Sequence, residues 1–253
     1  MNPSSRQPII RMDRISKSFN GKTALENAVL ELMQGEILGL VGDNGAGKST
    51  MLKILSGVLL KDDGKIFVHR KKVRINSPGQ SRALGIEMVY QDLSLCLSLT
   101  VWENIFLGRY LTIHFRKAVI PILNKRRMAE DARQILKSMG IDLPNIHEPV
   151  RNLSGGEQQA VAICRCLLFR PHVILLDEPT ASMAIWEQKR VLEMIHNLKK
   201  QGRSIVMVTH NLQELFQVAD RALVLKEGRS IWCGSLAGIK PDDLAQMMFV
   251  GKA

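Results

Sequence analysis

The sequence lacks the long apolar runs that mark membrane-spanning or secreted chains. No stretch approaches the roughly 18 consecutive apolar residues of a membrane helix. The first residues have no apolar core of the kind that a secretory signal carries. Residues 1–7 are mostly polar and are predicted to be a flexible tail. We therefore expect a chain that remains in the cytoplasm.

Cysteine is scarce, with four among 253 residues, and the four follow no recognisable framework. Cys96, Cys164, Cys166 and Cys233 match neither a disulfide pattern nor the paired C-x-x-C of a zinc site. Cys164 and Cys166 fall in a run that reads as helix, where residues two apart point to different faces. The sequence therefore favours inert thiols.

Acidic and aromatic residues are also in short supply. The 24 acids are outnumbered by 35 lysines and arginines, which gives a net charge of +11. Such a surplus suits nucleic acid, anionic lipid or a small polyanionic ligand. The densest basic cluster, residues 69–74, lacks the interleaved aromatics that stack on bases. A solvated strand face within a hairpin is the favoured interpretation of that cluster.

Short strand-like and helix-like segments alternate along the chain, which predicts one α/β domain. Strand patterns cover residues 9–15, 28–32, 37–41, 65–75, 173–176 and 205–208, and helical patterns begin at Lys48 and surround residues 191–198. Between about residues 93 and 152 the periodicity is helical, which indicates an inserted helical segment. Strand, helix and strand at this spacing predict parallel pairing in a three-layer core.

A glycine-rich segment between a predicted strand and a predicted helix fits G-x-x-x-x-G-K-[ST]. It consists of Gly42, Asp43, Asn44, Gly45, Ala46, Gly47, Lys48 and Ser49, followed by Thr50. Glycines let successive amides point at phosphate oxygens, and the helix N-terminus adds positive partial charge. Lys48 supplies a charge to the β and γ phosphates, and the Ser49 hydroxyl is placed to bind magnesium. The motif predicts a nucleoside triphosphate site.

Polar residues end three further strand-like segments. Asp177 and Glu178 follow a buried strand at the edge where open α/β sheets bind ligands. Their side chains should point opposite ways, Asp177 toward a metal and Glu178 toward an attacking water. Gln91 and His210 could reach the same edge, but a turn or surface role is equally consistent with the sequence alone.

A second helix start carries a serine and two glycines, Ser154, Gly155 and Gly156, followed by Glu157. Because a helix N-terminus presents free N–H groups and positive partial charge, this segment is another candidate phosphate site. It also fits an N-cap with a capping-box glutamate, Ser154 to Glu157, and the two roles can coexist.

Taken in order, these motifs resemble the ATP-binding cassette (ABC) ATPase family over residues 8–250. The resemblance implies a single domain with a P-loop NTPase, RecA-like core, an antiparallel β subdomain and an inserted helical subdomain at about residues 93–152. It also implies ATP and Mg²⁺ as ligands, and a head-to-tail dimer in which residues 154–156 of one copy close on ATP held by the other.

The same resemblance assigns roles to individual residues. Phe19 would stack on adenine, and Gln91 would sense the γ-phosphate and magnesium. Glu178 would polarise the attacking water, and His210 would stabilise the transferring phosphoryl group.

Residues 85–93 and 103–109 resemble the bacterial carbohydrate-importer branch of that family, of the ribose, xylose and fructose kind. The length matches its single-cassette, fructose-type members. This implies separate permease subunits, a second ATPase subunit, an indirect periplasmic sugar-binding partner and no nucleic acid. It also implies a peripheral position on the cytoplasmic face of the inner membrane.

One position departs from the family pattern. After Asp177-Glu178-Pro179-Thr180 the family usually reads Ser-Ala-Leu-Asp, but here Ala184 stands in place of the acid. This raises the alternative of a regulatory nucleotide-binding module with impaired turnover. The charge of +11 keeps open a second alternative, an ABC ATPase acting on nucleic acid or ribosomes, although no charged linker to a second cassette is present. Hydrolysis is predicted because Lys48, Asp177, Glu178 and His210 remain.

Overall fold

The computed structural model describes residues 8–113, 121–143 and 145–250. The predicted tail, residues 1–7, lies outside this part of the chain. So do residues 114–120, in the middle of the apolar stretch 110–123. The chain divides into two compact units. Among the described residues, the first unit contains those up to 91, those at 171–179 and those from 195 onward, and the second contains those at 92–170 and 180–194.

Twelve strands and eight α-helices are present in the described ranges. In chain order they are β1 (Pro8–Phe19), β2 (Lys22–Met33), β3 (Ile37–Val41), α1 (Lys48–Leu55), β4 (Asp63–Val68), β5 (Lys71–Val73), α2 (Pro78–Ala83), β6 (Ile86–Val89), α3 (Val101–Ile105), β7 (Thr112–Ile113), β8 (Ile122–Leu123), α4 (Lys125–Ser138), α5 (Gly155–Leu167), β9 (Val173–Asp177), α6 (Ile185–Lys200), β10 (Ser204–Val208), α7 (Leu212–Val218), β11 (Arg221–Lys226), β12 (Arg229–Ser235) and α8 (Pro241–Val250). A short 3₁₀ helix, Val150–Asn152, precedes α5.

The first unit is built on a six-stranded sheet with the order β12-β11-β3-β10-β9-β6. Five of its strands are parallel, and β12 pairs antiparallel with β11 at one edge. Every residue of β3, β9 and β10 is buried, as expected for central parallel strands that are covered on both faces. The predicted α/β fold with parallel pairing is confirmed.

A second, antiparallel sheet in the same unit has the order β2-β1-β4-β5. Its inner residues, such as Ile10 and Leu30, share one apolar core with Leu40 of the large sheet and Leu52 of α1. Both β1 and β2 are 12 residues long, and so exceed the predicted segments 9–15 and 28–32. The prediction fell short because the strand ends are polar and β1 and β2 pair through register shifts, which interrupt the alternation.

The basic cluster at residues 69–74 forms the hairpin predicted for it. His69 and Arg70 make the turn between β4 and β5, both with positive φ. Lys71 and Lys72 are exposed on β5, and Val73 is partly buried and packs against the core. The charges therefore cover a solvated face of the sheet.

The second unit is mainly helical. Its helices α3, α4 and α5 pack on one another and bury Trp102, Met128, Leu136 and Val161. The sequence placed a helical insertion at about residues 93–152, and that boundary stays a prediction. The described parts of the 110–123 stretch form the hairpin β7–β8 and expose Tyr110, Ile113 and Ile122.

None of the four cysteines forms a disulfide. Cys164 and Cys166 are buried in α5, and burial raises the pKa of the Cys164 thiol. No helix in the described ranges is both long and apolar enough to cross a membrane.

A partly buried ion pair joins the start of β3 to the start of β11. The Glu36 side chain is 4% exposed, accepts the Met33 N–H at 2.6 Å and faces the Arg221 guanidinium at 3.0 Å. Burial raises the pKa of Glu36, and the hydrogen bond from Met33 and the charge of Arg221 oppose that shift. The pair therefore offsets the cost of burying a carboxylate at the edge of the sheet.

We expect Arg221→Met to lower the free energy of unfolding at pH 7 by about 2 kcal/mol. Removing one partner of a fully buried pair costs roughly 3–5 kcal/mol. The loss should be smaller here because the Arg221 side chain is 23% exposed. Without Arg221 the pKa of Glu36 in the folded protein rises further above its ordinary value. The variant therefore loses stability as the pH rises from that ordinary value through the folded pKa. The deficit should therefore shrink toward pH 4.5, the ordinary value for this carboxyl group. Urea unfolding at both pH values measures this.

The matched control is Arg229→Met, which breaks the exposed pair with Glu26, whose side chains are 63% and 45% exposed. That change should cost under about 1 kcal/mol. Equal losses in the two variants, or a deficit for Arg221→Met that does not depend on pH, would contradict the assignment.

Candidate nucleotide-binding site

The loop between β3 and α1 can be built only with glycine at two positions. Gly42 has φ 148°, and a Cβ there would lie 2.0 Å from the carbonyl oxygen of Leu225 in β11. Gly47 has φ 100°, and its Cβ would lie 2.6 Å from the carbonyl oxygen of Ala24 in β2. The loop is therefore wedged between two strands, and its backbone follows a path that other residues would obstruct.

Lys48, the first residue of α1, is 6% exposed and turns back over this loop. Its ammonium Nζ donates to the carbonyl oxygens of Gly42 at 2.7 Å and Asp43 at 2.9 Å. Burial lowers the pKa of Lys48, and the charge of Glu178 opposes that shift. A fixed ammonium of this kind supplies a positive charge beside the N–H groups of the loop, and both attract an anion.

Ser49 and Asp177 join the loop to the end of β9. The Ser49 hydroxyl donates to Asp177 Oδ1 at 3.0 Å. Asp177 is 5% exposed. Burial raises the pKa of Asp177, and the hydrogen bond from Ser49 opposes the shift. A hydroxyl and a carboxylate thus lie side by side directly under the start of α1.

Glu178 follows β9 with the unusual φ of 49°. Its N–H donates to the Val208 carbonyl at 3.0 Å, which fixes the backbone against β10. Its Oε2 lies 3.5 Å from both Gln91 Nε2 and His210 Nδ1, at the outer limit of hydrogen bonding. The Glu178 side chain is 19% exposed and that of His210 is 66% exposed. Two polar side chains from two other strand ends, Gln91 and His210, therefore meet at the Glu178 carboxylate.

Most of these groups, but not Asp177, line one cavity of about 520 Å³ in the first unit. It is lined by Ala24, Asn44, Gly45, Gly47, Lys48, Ser49, Thr50, Gln91, Glu178 and His210. Gly42 and Ala46 are buried and Asp43 is exposed, and none of the three lines it. Most of the residues that the sequence proposed for the site are thus brought together by the fold.

Phe19, predicted to stack on adenine, ends β1 and is 41% exposed. The Lys17 ammonium lies 5.3 Å from the centre of its ring. Phe19 is not among the residues that line the cavity. Its contact with an adenine base stays a prediction.

Residues 154–156 belong to the second unit and begin α5. Ser154 caps the helix through a capping box with Glu157, as the sequence indicated. Ser154 is partly exposed and Gly155 is exposed, whereas Gly156 is buried and donates its N–H to Glu187 Oε1 at 3.1 Å. Ser154 and Gly155 are therefore the accessible groups of this segment, and its role toward a nucleotide stays a prediction.

Sequence reasoning missed two residues that shape these segments. Ala24 lines the cavity from β2, and no pattern in the sequence distinguishes it from other strand alanines. Glu187 caps the start of α5 from the first turn of α6. Its position three residues after Ala184, where a helix begins, was a signal that could have been read as a capping residue.

Comparison with known proteins identifies the family. Residues 25–181 match the family model described as ABC transporter. The chain is 40% identical over 240 residues to the xylose/arabinose import ATP-binding protein of Sulfolobus acidocaldarius, a match that covers 95% of this chain and 93% of the relative. It is 39% identical over 233 residues to the fructose import ATP-binding protein of Rhizobium meliloti, covering 90% and 88% of the two chains.

Some relatives are longer. The ribose import ATP-binding protein of Caldanaerobacter subterraneus subsp. tengcongensis is 40% identical over 242 residues, or 96% of this chain, but the chain spans only 48% of that relative. The single-cassette form predicted from the sequence is thus matched by the xylose/arabinose and fructose relatives.

Solved structures agree with the sequence relatives. A dimeric ATP-binding cassette in a post-hydrolysis state, bound to ADP and Pi, superposes with a TM-score of 0.74 at 26% identity and covers 91% of this chain and all of that one. Its fold is the P-loop α/β fold that the motifs predicted. The chain therefore belongs to the ABC transporter family and is an ATP-binding cassette of the ATPase type.

Proposed function

We propose that this chain is the ATP-hydrolysing subunit of a sugar importer, and that it drives transport through separate permease subunits. The observation that carries the proposal is the single cavity in which Lys48, Ser49, Gln91, Glu178 and His210 converge. It contains a phosphate-binding loop, a carboxylate that can act as a base, and polar groups around that carboxylate. This is the equipment that hydrolysis of a triphosphate needs.

Binding of the triphosphate rests on the loop and on Lys48. The amides at the start of α1 and the ammonium present fixed positive charge to phosphate oxygens. Because the Lys48 ammonium is already held by the Gly42 and Asp43 carbonyls, little reorganisation is needed when the ligand arrives.

Hydrolysis rests on Glu178. Its carboxylate can accept a proton from a water as that water attacks the γ-phosphate. Gln91 and His210 each lie 3.5 Å from Oε2. In this proposal they orient the water and donate to the transferring phosphoryl group. The backbone of Glu178 is fixed by Val208, so the carboxylate remains aimed at the cavity.

Mg²⁺ fits the residues beside the loop. Ser49 Oγ and Asp177 Oδ1 are hard oxygen donors only 3.0 Å apart, and Asp177 is 5% exposed. Ser49 and Asp177 would hold the ion, with Gln91 as a further ligand. When bound, Mg²⁺ neutralises charge that develops on the phosphates.

The partners follow from the relatives and from the segment at residues 154–156. Relatives that match over most of their length are import ATP-binding proteins for xylose/arabinose and for fructose. A related cassette forms a dimer. We infer a second ATPase subunit whose Ser154 and Gly155 close on ATP held by this chain. Permease subunits and a periplasmic sugar-binding protein complete a complex in which the chain is peripheral on the cytoplasmic face of the inner membrane.

The Glu178→Gln variant should keep its ATP affinity. Its rate of phosphate release should fall about 100-fold or more, which is the usual contribution of a general base to the rate. The amide cannot accept the proton from water, although its size is unchanged. Magnesium-dependent phosphate release and titration with ATP measure the two properties. Glu227→Gln is a matched control, because Glu227 is exposed and also has positive φ, 48° against 49°. Wild-type phosphate release in Glu178→Gln would remove Glu178 from the mechanism.

The Lys48→Ala variant should bind ATP about tenfold or more weakly, since a hydrogen bond to a charged group contributes roughly 1.5–3 kcal/mol. Fluorescent nucleotide titration measures the affinity. Lys72→Ala, at an exposed position on β5, removes the same charge and should leave the affinity within twofold of wild type. Equal effects in the two variants would mean that only net charge matters and that the loop is not the site.

The transport role has its own test. With its permease in lipid vesicles, the chain should hydrolyse ATP several-fold faster when a sugar-loaded binding protein is added, because closure of the cassettes is coupled to the permease. Xylose, ribose and fructose are the first sugars to try. Turnover that no sugar-loaded binding protein changes, together with salt-sensitive binding to RNA or DNA, would favour the nucleic-acid alternative.

A further inference from the structure

We propose that Glu187 is a positioning residue that ties residues 154–156, at the start of α5, to Ala184, just before α6. The inference rests on the proposed function, in which residues 154–156 act on a nucleotide held by a second copy. Glu187 lies in none of the motifs that identified the family, and it does not line the nucleotide cavity.

The Glu187 carboxylate serves two helix starts at once. Oε1 accepts the N–H of Gly156 at 3.1 Å, and Oε2 accepts the N–H of Ala184 at 3.3 Å. The residue is only 8% exposed. The hydrogen bond from Gly156 and then one from the Ser154 side chain hold the pKa of Glu187 below its usual value. The group is therefore a charged carboxylate placed between two helix N-termini, which both favour negative charge.

Glycine at position 156 makes the close contact possible. A Cβ built there would lie 3.2 Å from Glu187 Cβ, so a larger residue would require Glu187 to shift by a few tenths of an ångström. At the neighbouring Gly155 the added atom would meet nothing closer than 3.9 Å. The packing constraint thus applies to Gly156, whose N–H Glu187 accepts. It does not apply to the exposed Gly155.

The residue before α6 is Ala184, and the carboxylate that accepts its N–H comes from Glu187. The residue before a helix usually supplies a side-chain oxygen to the first turn, and alanine has none. Glu187 performs half of a capping box instead, by accepting the Ala184 N–H. Its second oxygen remains available for Gly156. Ala184 and the segment at 154–156 are consequently held by one side chain and should move together.

The consequence for the reaction is geometric. Ser154 and Gly155 can stabilise a phosphate of a second copy only if the start of α5 is correctly placed, and an error of about 1 Å in such a group can cost up to 100-fold in rate. Loss of Glu187 should thus slow turnover without weakening ATP binding to the same chain, because the residues that line its own cavity are untouched.

Three variants test this in the full-length chain: Glu187→Ala, Glu187→Gln and, as a control on the exposed face of the same helix, Glu193→Ala. For each, the rate of phosphate release at saturating ATP, the ATP affinity and the melting temperature are measured. Glu187→Ala should lower the rate about tenfold and leave the affinity within twofold of wild type. Glu187→Gln keeps an acceptor for Gly156 and should recover most of the rate, and Glu193→Ala should behave as wild type.

ATP-driven dimerisation, measured by size exclusion in a Glu178→Gln background, gives a second readout. There Glu187→Ala should require several-fold more ATP to dimerise. The inference is overturned if Glu187→Ala keeps the wild-type rate, if Glu187→Gln recovers nothing, or if rate, affinity and melting temperature fall together. A wild-type chain that neither binds nor hydrolyses ATP would instead refute the proposed function, so the two failures are distinguishable.

Discussion

The hydrogen bonds from the Lys48 ammonium to the carbonyl oxygens of Gly42 and Asp43 hold the phosphate loop in shape. A buried ammonium is costly unless polar groups replace its water, and these two carbonyls do so. The same bonds commit the carbonyls to the lysine, so they are not presented to an incoming anion. The loop therefore offers mainly amides and one positive charge. Lys48 is only 6% exposed, yet it lines the cavity and contributes its charge there.

The remaining groups reach the loop because the parallel strands end at the same level. Asp177 is in register with Val208, and Leu176 is in register with Val89. The residues that follow each strand, Glu178, His210 and Gln91, therefore emerge side by side, although they are far apart in the sequence. A shift of one residue in either pairing would turn Glu178 away from the loop.

Much of this could be read from the sequence. The strand-loop-helix context identified residues 42–50, and the buried run before Asp177 and Glu178 identified the sheet edge. For Gln91 and His210 the sequence could not choose between a turn and the site, because the choice depends on strand register, which is a long-range property. The ends of β1 and β2 were missed for a related reason. Their polar residues are strand because β1 and β2 pair with each other, and no local sequence pattern reveals that pairing.

Glu187 shows a different limit of sequence reasoning. A missing acid at position 184 looked like a weakened site, because the motif was read one position at a time. In the structure, a carboxylate still reaches the N–H of Ala184, from one helical turn farther along, and it also holds Gly156. A carboxylate is therefore present beside position 184 although the residue there is alanine. Since the groups around the nucleotide cavity are also intact, the departure at position 184 gives little support to a module without turnover.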